Sequence, residues 1–462
     1  MAREQPNGLE GLLVDPGAYL HTLFLAEDAF PMETITQDLL RIQHSGSDEE
    51  ALGALKTLRD QKAKCLSNFA NMASGYAGQR VSVIRGDWLY VEGWITHALH
   101  SLLWLAMAET EDFTLANGRE HCLQEYCARF SAESLLETVL CSLDQSVQTN
   151  ALIELCLRTI SHLHSQFEGV EVEEERHLEA LRDDPQRAIP WEPAPSLDLD
   201  GMQADLDRLV SALQDLPVHV GTVLIGSFGE EHKRDAFCDI DLNCVCSQLP
   251  TTEMRDQFIE ALSPKDSDAF GCFVYLALNA TGVHMSFVSQ ENQETCFRKR
   301  REVGSEFPFI EISNEKFATG SYYWSHGTIL SDTDGVLDAY QAQGREVPGR
   351  YREVIRSKCA LAWERFSETY QATRTHDRVT AMVALNYCTV AAIRWFLIEN
   401  GIHIDPISPP KWVPIELSVL PPEVTSRMAG FDLVPPGASL PHDARFGQLT
   451  RLWDMYSLKQ PG

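Results

Sequence analysis

Positive charge is in short supply in this chain. Against 67 Asp and Glu it carries only 38 Lys and Arg, a formal charge of −29 at pH 7. A surface this acidic repels phosphate backbones within the range of ionic screening, so nucleic acid is disfavoured as a partner. A second absence is at the start. Met1-Ala2-Arg3-Glu4-Gln5-Pro6 leads into no apolar core of a secretory leader. The expected compartment is therefore the cytoplasm, and the 12 Cys are expected as reduced thiols. Zinc spacing is absent too. Cys244 and Cys246 form C-x-C with no second Cys or His pair to complete a site, so they read as small buried residues. Finally, no apolar run is free of polar interruptions long enough to span a bilayer. The longest, 88–108, contains Glu92, His97 and His100, which are costly in lipid. It reads as a buried helix, and no membrane partner is expected.

What is present falls into blocks. Residues 1–182 have helical spacing almost throughout, notably 48–58, 88–108 and 132–167. An acidic stretch then gives way to Pro185, Pro190, Pro193 and Pro195, which cannot continue a helix; residues 183–196 read as a linker. Beyond it the pattern is mixed. Residues 200–216 suit a helix, and 218–225 and 240–246 suit strands. Residues 251–262 suit a helix capped by Thr251 or Thr252. Two more strands, 271–278 and 283–289, are joined by the turn Asn279-Ala280-Thr281-Gly282. From 350 onward the chain is helical again. A long apolar helix starts near Asp377 and stops at Asn400-Gly401, and Pro406, Pro409 and Pro410 then force a loop before Lys411 and Trp412.

The chemistry-bearing residues are concentrated in one place. Val223-Leu224-Ile225-Gly226-Ser227 is followed by eleven residues and then Asp239-Ile240-Asp241-Leu242. A strand ending at Gly226 lets backbone amides approach a phosphate closely, and Ser227 adds a hydroxyl donor. On the next strand, alternation puts Asp239 and Asp241 on one face with Ile240 on the other. Two carboxylates spaced about 7 Å along a strand suit magnesium shared with a triphosphate.

This stretch resembles the nucleotidyltransferase superfamily that includes DNA polymerase β and kanamycin nucleotidyltransferase. That family's motif is a strand, Gly-Ser or Gly-Gly, a spacer of similar length, then Asp-hydrophobic-Asp-hydrophobic. The resemblance covers 217–289 and runs more loosely through 325–332 and the helices that follow. It implies an α+β protein, with a nucleotidyltransferase-fold mixed sheet domain at 197–345. A helical domain of unknown role (1–182) and a helical acceptor-binding domain (346–462) would flank it. It further implies Mg2+ on Asp239 and Asp241, ATP as donor, and Gly226 and Ser227 on the triphosphate. The acceptor would be a hydroxyl of a small molecule, as in antibiotic-modifying members. Lys411 is a candidate phosphate contact from the helical domain, and Lys233 and Arg234 are others from the spacer. A homodimer contact is one role open to the N-terminal helices.

One departure stands out. The family usually carries a third carboxylate on the later strand, where this chain has Val283-His284-Met285-Ser286-Phe287. Alternation leaves His284 and Ser286 opposite the apolar set. His284 is the candidate general base, since imidazole titrates near neutral pH; Glu291 and Glu294 are in reserve. Two alternatives follow. The acceptor is a protein or a tRNA, or the fold is degenerate and binds nucleotide or a partner without catalysis.

Overall fold

The computed structural model describes residues 79–110, 118–166, 198–302 except 236, 271 and 280, then 324, 327–346, 349–400, 420–428, 431 and 440–457. The chain divides into two compact units. One comprises Met1–Trp191, Arg356–Asn400 and Pro406–Gly462; the other comprises Glu192–Ile355 and Gly401–Asp405.

The first unit opens with α1 (Gln79–Ile84), α2 (Trp88–Thr110), α3 (Arg119–Ala128), α4 (Glu133–Cys141) and α5 (Gln145–Gln166). Helix α2 buries Trp88, Leu89, Val91, Ile95, Leu99 and Leu102. The helical segment expected over 132–167 is broken at Ser142–Asp144. The Asp144 side chain accepts from the backbone N–H groups of Ser146 and Val147, which caps α5 and ends α4.

The second unit is built on a six-stranded mixed sheet. Its strands are β1 (His219–Ile225), β2 (Ile240–Cys246), β3 (Asp266–Phe270), β4 (Phe273–Ala277), β5 (Gly282–Ser289) and β6 (Thr328–Asp332), in the order β3-β4-β5-β2-β1-β6. Only β2 and β5 run parallel; the other neighbours are antiparallel. Helix α6 (Leu199–Gln214) precedes β1 and is capped by Asp198, whose side chain accepts from Gly201 N. Helix α7 (Thr252–Leu262) follows β2 and is capped by Thr251 accepting from Met254 N. These two helices cover one face of the sheet. Leu206, Leu209, Leu213 and Phe258 pack there against Leu224, Leu242, Cys244, Met285 and Phe287. A smaller core on the opposite face gathers Val223, Val245, Phe297, Trp324, Leu337 and Tyr340 around α8 (Gln290–Glu302) and α9 (Val336–Arg345). Asp241 and His284 belong to neither core.

Strand β3 lies outside every strand expected from the sequence. Its residues, Asp-Ser-Asp-Ala-Phe, show no alternation because Asp266 to Ala269 are exposed at a sheet edge. A strand that buries neither face leaves no period-2 signal.

The chain re-enters the first unit through α10 (Gly349–Thr373), α11 (Arg378–Glu399), α12 (Pro422–Met428) and α13 (His442–Ser457). Helix α11 has the length and apolarity of a membrane span, yet 94% of that stretch is buried within the protein. Asp377 caps it, accepting from Thr380 N at 3.0 Å and from Arg119 N at 3.0 Å. Arg378 forks onto α3 and α4, with Nε on Glu120 at 2.9 Å and Nη1 on Glu137 at 2.7 Å. Arg445 of α13 pairs with Glu92 of α2. The sequence separates the helices of 1–182 from those of 346–462, but in the structure described helices from both ranges pack into one unit. These tie residues are hundreds of positions apart, so no local pattern could announce them. The 183–196 linker lies outside the described residues.

Candidate functional site

The site starts where β1 ends. Gly226 takes φ +70°, in the left-handed region that suits glycine, and begins a single helical turn, Gly226–Gly229. The turn stands against the side chain of Asp241. A Cβ added to Gly226 would fall 2.1 Å from Asp241 Oδ2 and 2.9 Å from its Cγ. Antiparallel pairing sets this up by placing Ile225 opposite Asp241. Glycine is therefore required here both for its backbone angle and for the space it leaves the carboxylate. Ser227 follows it and is 4% exposed.

Asp239 immediately precedes β2, and Asp241 is the second residue within it. The parallel neighbour β5 puts His284 directly beside Asp241. The imidazole Nδ1 lies 3.5 Å from Asp239 Oδ2 and 3.6 Å from Asp241 Oδ1. The ligand atoms of all three side chains fall within 4.8 Å of one another. His284 is 54% exposed, so solvent reaches the group. Two carboxylates this close repel each other unless a positive charge stands between them. Two oxygens and one ring nitrogen converging at that distance are a donor set that fits a divalent cation. Among the described residues this is the one cluster of three or more His, Cys, Asp or Glu side chains that does so.

The same sheet face carries side-chain pairs that sequence reasoning did not disclose. Tyr275 on β4 pairs with His284, and their rings meet edge to face at 4.9 Å and 78°. One row further along, Ser286 donates to Asn243 Oδ1. Both pairs arise from strand register, which no single strand's pattern discloses.

The spacer's cations make contacts within their own loop. Lys233 is 2% exposed, and its Nζ is 2.8 Å from Glu230 Oε1. Arg234 Nε donates to Phe228 O at 2.9 Å, with the guanidinium 5.0 Å from the Phe228 ring centroid. These contacts brace the loop between Gly226 and Asp239. Glu294 on α8 accepts from Tyr340 Oη at 3.3 Å, and neither it nor Glu291 joins the three-residue cluster. Lys411 lies outside the described residues, as do the side chains of His97 and His100. His162 stacks on Phe130 at 4.9 Å in the helical unit.

No family model matches the chain, and no curated protein does. Among solved structures, the chain is similar to a nucleotidyltransferase-like protein from Exiguobacterium sibiricum. The TM-score is 0.27 and the identity 14%, over 56% of this chain and 76% of the other. A likeness so faint assigns no role to any residue.

Proposed function

We propose that this protein is a magnesium-dependent nucleotidyltransferase that moves AMP from ATP onto a hydroxyl of a small molecule, releasing pyrophosphate. The observation that carries this reading is the conjunction of a positive-φ glycine, two carboxylates and an imidazole on one solvent-reached sheet face.

In this reading Asp239 and Asp241 hold magnesium. The metal supplies neutralisation of phosphate charge and alignment of the reacting oxygens. The Gly226 turn admits a phosphate against its backbone amides, and Ser227 belongs to the same grip. The acceptor oxygen attacks the α-phosphorus. A new O–P bond forms, the bond to the β-phosphate oxygen breaks, and pyrophosphate leaves with that electron pair. The acceptor's proton passes to His284. The His284 ring stands beside both carboxylates, with Nδ1 3.5 Å from Asp239 Oδ2 and 3.6 Å from Asp241 Oδ1.

The choice of donor and the small size of the acceptor rest on the resemblance and on the chain's net charge of −29. The test is pyrophosphate release from each of the four nucleoside triphosphates, with and without magnesium, across a panel of hydroxylated small molecules. Magnesium-dependent release that needs an acceptor supports the proposal. No release with any nucleotide and acceptor would leave a nucleotide-binding or partner-binding protein.

A further inference from the structure

Two helices of the second unit carry positive charge to the end of the sheet where the site lies. Helix α8 has Arg298-Lys299-Arg300-Arg301 in its last turns, four consecutive cations in an acidic chain, and α9 ends at Arg345. Contacts fix the direction of both helices. Near the start of α9, Leu337 lies over Gly221 of β1, where an added Cβ would fall 2.5 Å from Leu337 Cδ1. One turn later, Gln341 Nε2 donates to Gly327 O at 2.8 Å. Gly327 precedes Thr328, which pairs with Leu224, so it stands level with Ile225, the residue before Gly226. Helix α9 therefore runs along β1 towards the Gly226 turn. Helix α8 runs beside it in the same sense. Tyr340 Oη donates to Gln290 O at 3.4 Å, at the start of α8, and Arg301 Nη1 donates to Gln343 Oε1 at 2.6 Å, at its end.

Helical spacing then sets the side of each arginine. Arg301 is four residues after Phe297, which is buried in the smaller core, on the sheet face that also carries Asp241 and His284. Arg345 is four residues after Gln341. Residues four apart share a helix face, so each arginine stands on the side of its helix that meets the sheet, one turn nearer the site. Both are exposed, so a ligand reaches them. The electrostatics call for such groups. The Asp239 and Asp241 carboxylates offset a magnesium ion between them, and Lys233 and Arg234 make their contacts within the spacer. Two helix C-termini aimed at a phosphate would repel it through their carbonyls. An arginine at each end reverses the sign, and its fork matches a pair of phosphate oxygens.

We infer that Arg301 and Arg345 bind the β- and γ-phosphates of the donor nucleotide and hold pyrophosphate after transfer. The inference rests on the nucleotidyltransferase reading and assigns the cations that reading lacks.

The test is isothermal titration calorimetry on the full chain with magnesium, using ATP, pyrophosphate and AMP as probes. Arg301→Gln and Arg345→Gln should each weaken ATP and pyrophosphate binding about tenfold or more, while AMP, which lacks both outer phosphates, binds as before. Arg301→Lys should recover part of the loss, since it keeps the charge without the fork. Arg208→Gln removes the same charge from α6, on the opposite face of the sheet, and should bind all three probes as the wild type does. Melting temperatures report folding; if one variant unfolds, the other carries the test. Two outcomes overturn the inference while leaving the nucleotidyltransferase reading intact. One is ATP and pyrophosphate binding undiminished in both variants. The other is an equal loss in Arg208→Gln, which would show an effect of net charge alone. A wild type that binds neither ATP nor pyrophosphate defeats that reading, and this inference with it.

Discussion

At the scale of single residues, Gly226 and Asp241 form a pair that can be tested without knowing the substrate. Alanine at 226 would put a left-handed φ on a residue with a Cβ, at about 1–2 kcal/mol, and drive that Cβ into Asp241. Gly226→Ala should therefore lower the melting temperature and abolish turnover. Asp241→Ala removes the obstructing carboxylate, so the double variant should lose less stability than the sum of the singles, by about 0.5–3 kcal/mol. Additive losses in a double-mutant cycle by thermal or chemical denaturation would show that the carboxylate does not rest on the turn. His284 is tested by its proton. His284→Ala should cost about 10²–10⁴-fold in kcat/KM while magnesium-nucleotide still binds. A variant as fast as the wild type assigns the proton to another group.

At the scale of elements, the ion pairs that close the helical unit have a defined cost. Arg378 is 35% exposed at its side chain, whereas its partner Glu120 is only 12% exposed. Arg378→Gln leaves the nearly buried Glu120 carboxylate without its guanidinium, with only the N–H groups of residue 378 and Gln124 to hold it, so the loss should exceed that of a surface pair and stay below that of a fully buried one, about 1–3 kcal/mol. Urea denaturation measures it, and a loss within error of zero would mean the fork is ornamental. The pH dependence has its own signature at the start of α13. His442 is held at about 4 in the folded state, mainly by burial, against about 6.5 when unfolded. The unfolded chain binds the proton more readily, so stability should fall as pH drops from about 6.5 to about 4 and level off below. His442→Gln should flatten that part of the curve; an unchanged slope would place the ring in water.

Elements that bury one face were legible in the sequence. The bounds of β2 and α7 and the Thr251 cap follow from apolar spacing and from one hydroxyl ahead of a helix. The end of α11 at Glu399 follows from Asn400-Gly401. Strand β3 was hidden because its residues face water, and the α4–α5 break was hidden because apolar spacing runs across Asp144. At the site, Asp239, Asp241 and Gly226 were readable from spacing alone. The Tyr275 contact and the Asn243–Ser286 bond were not, since both depend on which strands lie side by side.

At the scale of the whole molecule, the proposed activity turns on whether two carboxylates are there for a metal. Their mutual repulsion in the absence of a cation makes them a poor structural choice, and Asp→Asn keeps their shape while removing the charge. Magnesium binds carboxylate oxygen far better than amide oxygen. The loss of one ligand removes several kcal/mol of transition-state stabilisation, or on the order of a thousandfold in rate. The most direct measurement is thermal unfolding of wild type, Asp239→Asn and Asp241→Asn with and without magnesium and nucleotide, beside pyrophosphate release from the same samples. The account predicts variants that melt at or above the wild-type temperature. Magnesium-nucleotide should raise the melting temperature of the wild type alone, because a ligand stabilises only the state that binds it; pyrophosphate release should vanish in both variants. A wild type that shifts with no magnesium-nucleotide, or variants that shift and turn over as it does, would contradict it.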